Sequence, residues 1–159
     1  MPEASLLTDD VRALIGRASP PVAMVISRAA VAQAIELFHG MDHGKERPPL
    51  PGEGERAPGY VLGALEPEPN RMELPALMPN SLLIGNEWQF ERPLRVGEEL
   101  SLVTRIADVS ERFGGRFGYS LTFRSEVEFR DGAGQVVAKS VRTMMQYDAR
   151  DARDGGEEP

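Results

Sequence analysis

The two histidines of this chain lie close together in the stretch HGMDHG, which runs from His39 to Gly44 and has Asp42 between them. A carboxylate beside an imidazole is suited to general acid–base chemistry, because imidazole gains and loses its proton near neutral pH. The residue types and their spacing therefore indicate proton transfer, with Asp42 and His43 as candidate catalytic residues. Whether the stretch is an active site depends on the elements that hold it.

A helix is predicted to end where this stretch begins, because Ser27 is a good N-cap and Gly40 is a natural C-terminal stop. Between them, apolar residues recur at helical spacing, at Val31, Ala34, Ile35 and Phe38. A shorter helix is predicted to start at Thr8. The segments 40–59 and 66–80 are interrupted by proline and glycine, so both are predicted to be loops. Loops of this length in a compact domain are usually functional or mobile.

The second half of the chain alternates apolar and polar residues with the period of two that is typical of strands. The strand predicted for 81–90 has one apolar face, formed by Leu82, Ile84, Trp88 and Phe90, and Asn86 is the polar exception in that row. Alternating runs follow at 100–106 and 119–130, and the sequence DGAG is a hairpin signal before a last strand at 135–147. Helices followed by long antiparallel strands predict an α+β fold.

Composition sets the boundaries of the domain. Residues 1–147 are predicted to form a single domain, and residues 148–159 a disordered acidic tail, because the tail is charged and lacks apolar anchors.

Composition also excludes several classes of partner. The net charge of −7 argues against a nucleic-acid surface. Without cysteine and with two histidines, the chain has little from which to build a metal site. No apolar run approaches the roughly 20 residues of a membrane span, and the N-terminus does not resemble a signal peptide. We therefore expect a cytoplasmic protein with no membrane, metal or nucleic-acid partner.

Two segments carry a resemblance to a known family: NEWQFERPLRVGEELSLVTRIADV and SEVEFRDGAGQVVAKSVRTMMQY. They resemble the MaoC-like dehydratase family, and more narrowly its N-terminal, FAS1-like dehydratase type of hot-dog domain. The resemblance implies an antiparallel sheet wrapped around a central helix. It also implies that domains pair edge to edge and bind an acyl-CoA thioester as substrate, without a cofactor.

Catalytic members of the hydratase branch carry Asp-x-Asn-Pro-x-His in the loop after the corresponding helix, where the Asp and His activate water. Counted from Asp42, the Asn position is Gly44, the Pro position is Lys45 and the His position is Arg47. The resemblance therefore implies that the loop lacks its relatives' catalytic residues. On this interpretation the imidazolium form of His39 is favoured near the negative, C-terminal end of a helix. Asp42 and His43 are then solvated loop residues.

Three further residues are candidates for substrate binding: Tyr60, Asn86 and Trp88. Asn86 is suited to a hydrogen bond with the thioester or pantetheine, and Trp88 to the wall of an acyl tunnel. The alternative is structural, with Trp88 in the core and Asn86 marking a bulge or an edge.

These observations predict a subunit of a MaoC-type (R)-specific enoyl-CoA hydratase or 3-hydroxyacyl thioester dehydratase. The chain would form the substrate tunnel without its own catalytic pair, in a hetero-oligomer with a second hot-dog subunit. Two alternatives stay open. One is a non-enzymatic acyl-CoA-binding homodimer, and the other is a stand-alone hot-dog thioesterase or hydratase that uses Asp42, His43 or Glu87.

Overall fold

The computed structural model describes residues 4–40, 46–65 and 72–152, and within them an antiparallel sheet with helices packed on one side. The elements are α1 (Asp9–Arg12), β1 (Val22–Val25), α2 (Arg28–His39), β2 (Arg56–Ala57), α3 (Val61–Leu65), β3 (Asn80–Phe90), β4 (Leu94–Arg95), β5 (Glu99–Arg112), β6 (Ser120–Arg130) and β7 (Val136–Tyr147). The five-stranded sheet has the order β1-β5-β6-β7-β3, and β2 pairs with β4 in a separate two-stranded ladder. The predicted α+β architecture is confirmed.

Helix α2 begins and ends at the predicted residues. The Ser27 side chain accepts a hydrogen bond from the Ala30 N–H at 3.1 Å, and Gly40 caps the other end by donating its N–H to the Glu36 carbonyl. Val31, Ala34 and Ile35 are buried as predicted, together with Ala30. Phe38 differs from the prediction: it is 56% exposed, and its ring packs against Tyr60 at a centroid distance of 4.8 Å.

The inner face of the sheet carries two apolar clusters. The first lies beneath α2 and α3 and includes Ile26, Val31, Leu62, Leu102 and Phe129. The second lies at the other end of the long strands, next to α1, and includes Val11, Ile106, Tyr119, Leu121 and Phe123. The alternation predicted for β5 and β6 therefore places the expected residues in the core.

The predicted face of β3 is wrong in its first half because the strand contains a β-bulge. Leu83 pairs with Met144, but the next paired residue is Gly85 with Thr143, so Ile84 is the additional residue. An additional residue reverses the alternation. Leu83, rather than Leu82 or Ile84, therefore lies on the same face as Trp88.

The second predicted loop, 66–80, ends one residue early because β3 begins at Asn80, and its described residues 72–79 form no helix or strand but are attached to the sheet. The buried side chain of Gln146 accepts hydrogen bonds from the N–H groups of Leu77 (3.0 Å) and Met78 (3.3 Å), and donates one to the carbonyl of Pro75 (2.8 Å). Apolar side chains of this segment pack on the second cluster. The side-chain amide of Gln146 thus forms hydrogen bonds with three backbone groups of a segment that pairs with no strand of the described residues.

The first residues of the predicted acidic tail continue the ordered structure. The Ala149 N–H donates to the Asn80 side chain at 3.0 Å, and Asp148 accepts hydrogen bonds from Arg150. The hydrogen bond from Ala149 joins this segment to the start of β3, and those between Arg150 and Asp148 lie within the segment. Residues 153–159 lie outside the described part, and the prediction of disorder for them stays a prediction.

Candidate functional site

A cleft of about 620 Å³ opens beside the C-terminal half of α2. Ile35 and His39 form its helical wall, residues 48–51 form the opposite wall, and residues 55–58 with Tyr60 close the remaining side. Four of the lining residues are prolines, which have no N–H to donate. The cleft is therefore mostly apolar, and its few polar groups decide what it can bind.

A strap of residues 46–51 runs along α2 and forms the proline-rich wall. Arg47 Nη1 lies 2.6 Å from Glu36 Oε2, near the end of the helix, and Arg28 Nε donates to the Pro51 carbonyl at 3.4 Å, at its start. The Arg47–Glu36 pair is more than half exposed at both partners, so it contributes little stability. The strap is positioned at both ends but is held weakly.

The polar centre of the cleft is a hydrogen bond between His39 and Tyr60. His39 Nε2 lies 3.0 Å from the Tyr60 hydroxyl oxygen. His39 is the last residue of α2, and Tyr60 directly precedes α3, so two helix ends bring the side chains together. Burial raises the pKa of the Tyr60 hydroxyl above its ordinary value. At neutral pH this hydroxyl is consequently protonated and is able to donate a hydrogen bond.

Two charged residues line the same cleft. Glu55 accepts a hydrogen bond from the Gly52 N–H at 3.1 Å, so its carboxylate is used within its own turn. Arg56 lies directly opposite Arg95 in the β2–β4 ladder. Like charges opposite each other in a ladder are unfavourable unless an anion or a carboxylate compensates them. Within residues 4–40, 46–65 and 72–152, the Arg56 side chain has no hydrogen bond or ion pair, whereas Arg95 donates to the Gly54 carbonyl.

The described residues that the sequence singled out lie at different places. Asp42 and His43 lie outside the described residues. Tyr60 lies in the cleft. Asn86 is exposed on β3, and Glu87 lies on the opposite face of that strand from Trp88.

Trp88 is half-buried against the first cluster. Its ring stacks on Phe129 and Phe90 at centroid distances of 5.9 and 6.0 Å. It packs against the same core as Tyr60 but does not line this cleft, and its suggested role in the wall of an acyl tunnel stays a prediction.

Sequence reasoning did not connect His39 with Tyr60. The position of His39 was predictable from a local signal, because His39 follows the buried Ile35 by four residues and must share its face of the helix. No local signal places Tyr60 beside it, since Tyr60 is 21 residues further along the chain. Arg56 was not singled out either, because its unfavourable position opposite Arg95 is visible only in the paired ladder.

A second notable feature is an apolar strand edge. β3 is the last strand of the sheet and exposes Leu82, Leu83, Ile84 and Phe90, with Leu83 and Ile84 each 50% exposed. Exposed edges with apolar side chains readily pair with another strand. This makes β3 a candidate interface.

Within the described residues, no group of three or more His, Cys, Asp or Glu side chains is arranged to hold a metal ion. No helix in the part of the chain that the structure covers is both long and apolar enough to cross a membrane.

Several solved structures have a similar fold. The chain is similar to the HadBC (3R-hydroxyacyl-ACP dehydratase) complex from Mycobacterium tuberculosis, with a TM-score of 0.59 and 18% identity over 88% of this chain and 99% of that one. For the ChsH1-ChsH2 complex from the same organism the TM-score is 0.62, with 14% identity over 94% and 93% of the two chains. For the MaoC-like dehydratase from Rhodospirillum rubrum it is 0.55, with 19% identity over 88% and 94%.

The fold is therefore the hot-dog fold, shared with the HadBC dehydratase and with the MaoC-like dehydratase from Rhodospirillum rubrum. Residues 54–140, more than half of the chain, match the family described as FAS1-like, dehydratase domain region, and the chain belongs to this family. No curated protein sequence matches the chain significantly. The resemblance noted in the sequence is confirmed.

Proposed function

We propose that this chain is the substrate-binding hot-dog subunit of an (R)-specific enoyl-CoA hydratase or 3-hydroxyacyl thioester dehydratase. A second hot-dog chain supplies the catalytic Asp and His, and the acyl-CoA is substrate rather than cofactor. The observation that carries the proposal is the open apolar edge of β3. The Phe90 end of this strand adjoins Arg56 and Gly59, next to a cleft of suitable size for a small molecule.

The exposed edge of β3 favours pairing with another strand. β3 is eleven residues long, and on its outer side the described residues offer no strand to pair with it. Leu83 and Ile84 are half exposed there, which is costly in water and favours association. Two of the similar structures, HadBC and ChsH1-ChsH2, are complexes, which supports a second hot-dog chain as the partner.

The catalytic half is assigned to that partner because of the sequence after α2. From Asp42 to Arg47 the chain lacks the Asn, Pro and His of the hydratase pattern. General acid–base groups typically contribute about 10²–10⁴-fold each to the rate, so a chain without the pair is expected to turn over slowly.

The test is to purify the chain, a hot-dog protein encoded beside it that has the intact Asp-x-Asn-Pro-x-His loop, and the two after co-expression. Hydration of crotonyl-CoA and of octenoyl-CoA is then measured for each. We expect a stable hetero-oligomer by size-exclusion chromatography, with octenoyl-CoA turnover highest in the complex.

A pair of variants locates the interface. Ile84→Lys places a charge on the β3 edge and should abolish co-purification, whereas Ser110→Lys places the same charge at an exposed position of β5 and should not. Rapid turnover by this chain alone, or a complex insensitive to Ile84→Lys, contradicts the proposal.

A further inference from the structure

We infer that His39 and Tyr60 form a hydrogen-bonded relay that holds the carbonyl oxygen of an acyl thioester in the cleft, and that Arg56 binds a phosphate of the same ligand. The inference rests on the proposed acyl-thioester function and assigns residues to it. It makes Tyr60 and His39 positioning residues for the substrate, outside the 42–47 loop.

The cleft offers an acyl chain an apolar surface with one polar point. Of the eleven lining side chains, seven are proline, isoleucine, leucine or alanine, and the polar ones are His39, Glu55, Arg56 and Tyr60. Glu55 is already bonded to the Gly52 N–H. A neutral oxygen that enters the cleft can therefore accept a hydrogen bond from the His39–Tyr60 pair, and Arg56 is the other lining side chain with donors to offer.

The pair has a donor available when the proton is on His39 Nε2. In that tautomer His39 donates to the Tyr60 oxygen, and the Tyr60 O–H is free to donate to the ligand. Hydrogen bonds in such a chain polarise one another and strengthen the terminal donor. Ring contacts with Phe38 and His39 hold the Tyr60 side chain in place, with centroids 4.8 and 5.7 Å away.

The rim of the cleft supplies the positive charge that a phosphate requires. Arg56 lines this cleft and also the adjoining groove that contains Gly59 and Phe90, so it stands where the two meet. Its guanidinium has no partner within the described residues and lies opposite Arg95, in a chain whose net charge is −7. An apolar wall, a hydrogen-bond donor for the carbonyl oxygen and an arginine with no partner among the described residues together match the parts of an acyl thioester of a phosphorylated carrier.

The test measures binding of three probes to the full chain by isothermal titration calorimetry. Octanoyl-CoA has both the carbonyl and the phosphates. The thioether S-octyl-CoA lacks the carbonyl oxygen, and octanoyl-pantetheine lacks the phosphates.

Tyr60→Phe should weaken octanoyl-CoA about tenfold, the value of one hydrogen bond, and leave S-octyl-CoA unchanged. His39→Ala should reduce the preference of the chain for octanoyl-CoA over S-octyl-CoA. His39→Gln should restore part of this preference because the amide can still donate to Tyr60. Arg56→Gln should weaken both CoA ligands severalfold and leave octanoyl-pantetheine unchanged. Tyr147→Phe, a matched control whose ring contacts Phe117 at the other end of the sheet, should change none of the affinities.

The inference is overturned if the wild-type chain does not bind octanoyl-CoA, or if Tyr60→Phe affects octanoyl-CoA and S-octyl-CoA equally. Equal effects mean that Tyr60 only supports the shape of the cleft. Either result leaves the proposed function to be judged by turnover of the two-chain complex, so the two failures are distinguishable.

Discussion

Phe123→Ala is expected to be the more damaging of two neighbouring substitutions on β6. Phe123 is fully buried in the second cluster, where it pairs with Val109 on β5 and Met144 on β7. Truncation of a buried phenylalanine costs about 3–5 kcal/mol, because the transfer energy is lost and a cavity remains. Typical domains have about 5–15 kcal/mol of stability in total. The variant should therefore keep its fold but lose a large share of its margin.

The matched control is the next residue along the strand. Arg124 is exposed on the opposite face, so Arg124→Ala should change the free energy of unfolding by less than about 0.5 kcal/mol. For a chain of this length each kcal/mol lowers the melting temperature by about 2–4 °C, which predicts a loss of roughly 6–20 °C for Phe123→Ala.

Urea denaturation, followed by far-UV circular dichroism and by the fluorescence of Trp88, the only tryptophan, measures both variants. Protein concentration must be equal throughout, because association contributes to apparent stability. Equal costs at the two positions would refute the assignment of the two sheet faces, and with it the register of β5, β6 and β7.

Two further substitutions test polar contacts. Tyr119→Phe should cost about 1–2 kcal/mol in urea melts, because the buried hydroxyl accepts from a backbone N–H at 2.9 Å and donates to Glu111 at 2.6 Å. Arg92→Ala should cost about 0.5–1 kcal/mol at pH 7, since the hydrogen bond from Arg92 holds the pKa of Glu98 below its ordinary value. A lowered pKa contributes stability above the ordinary glutamate value of 4.5 and loses it as the pH falls further, so the difference from wild type should shrink below about pH 4.5. A difference that stays constant down to pH 3, or an equal change in Arg124→Ala, would rule out this ion pair as the cause.

Local signals in the sequence were sufficient for most of the scaffold. The cap at Ser27 and the stop at Gly40 depend on groups within one helical turn, and the alternation in β6 reflects burial of one face along a central strand. Both signals depend on residues that are close together in the sequence, and the helix and strand of the structure agree with them.

Features that depend on distant groups were not predictable in the same way. The bulge at Ile84 is defined by pairing with β7, so the sequence of β3 alone gave the wrong face for Leu82. The contact between His39 and Tyr60 joins two helix ends through the intervening loop. The roles suggested for Asp42 and His43 remain predictions.

The bulge in β3 also determines which strands can add to this edge. A regular strand that pairs from Asn80 towards Leu83 loses its hydrogen-bonding register after Ile84. At this bulge the backbone bends and the alternation of side chains reverses. Indiscriminate stacking of copies into fibrils requires long, flat, regular edges. The irregularity therefore lowers the tendency of this apolar edge to aggregate, and it favours pairing with a strand that is shaped to follow the bend.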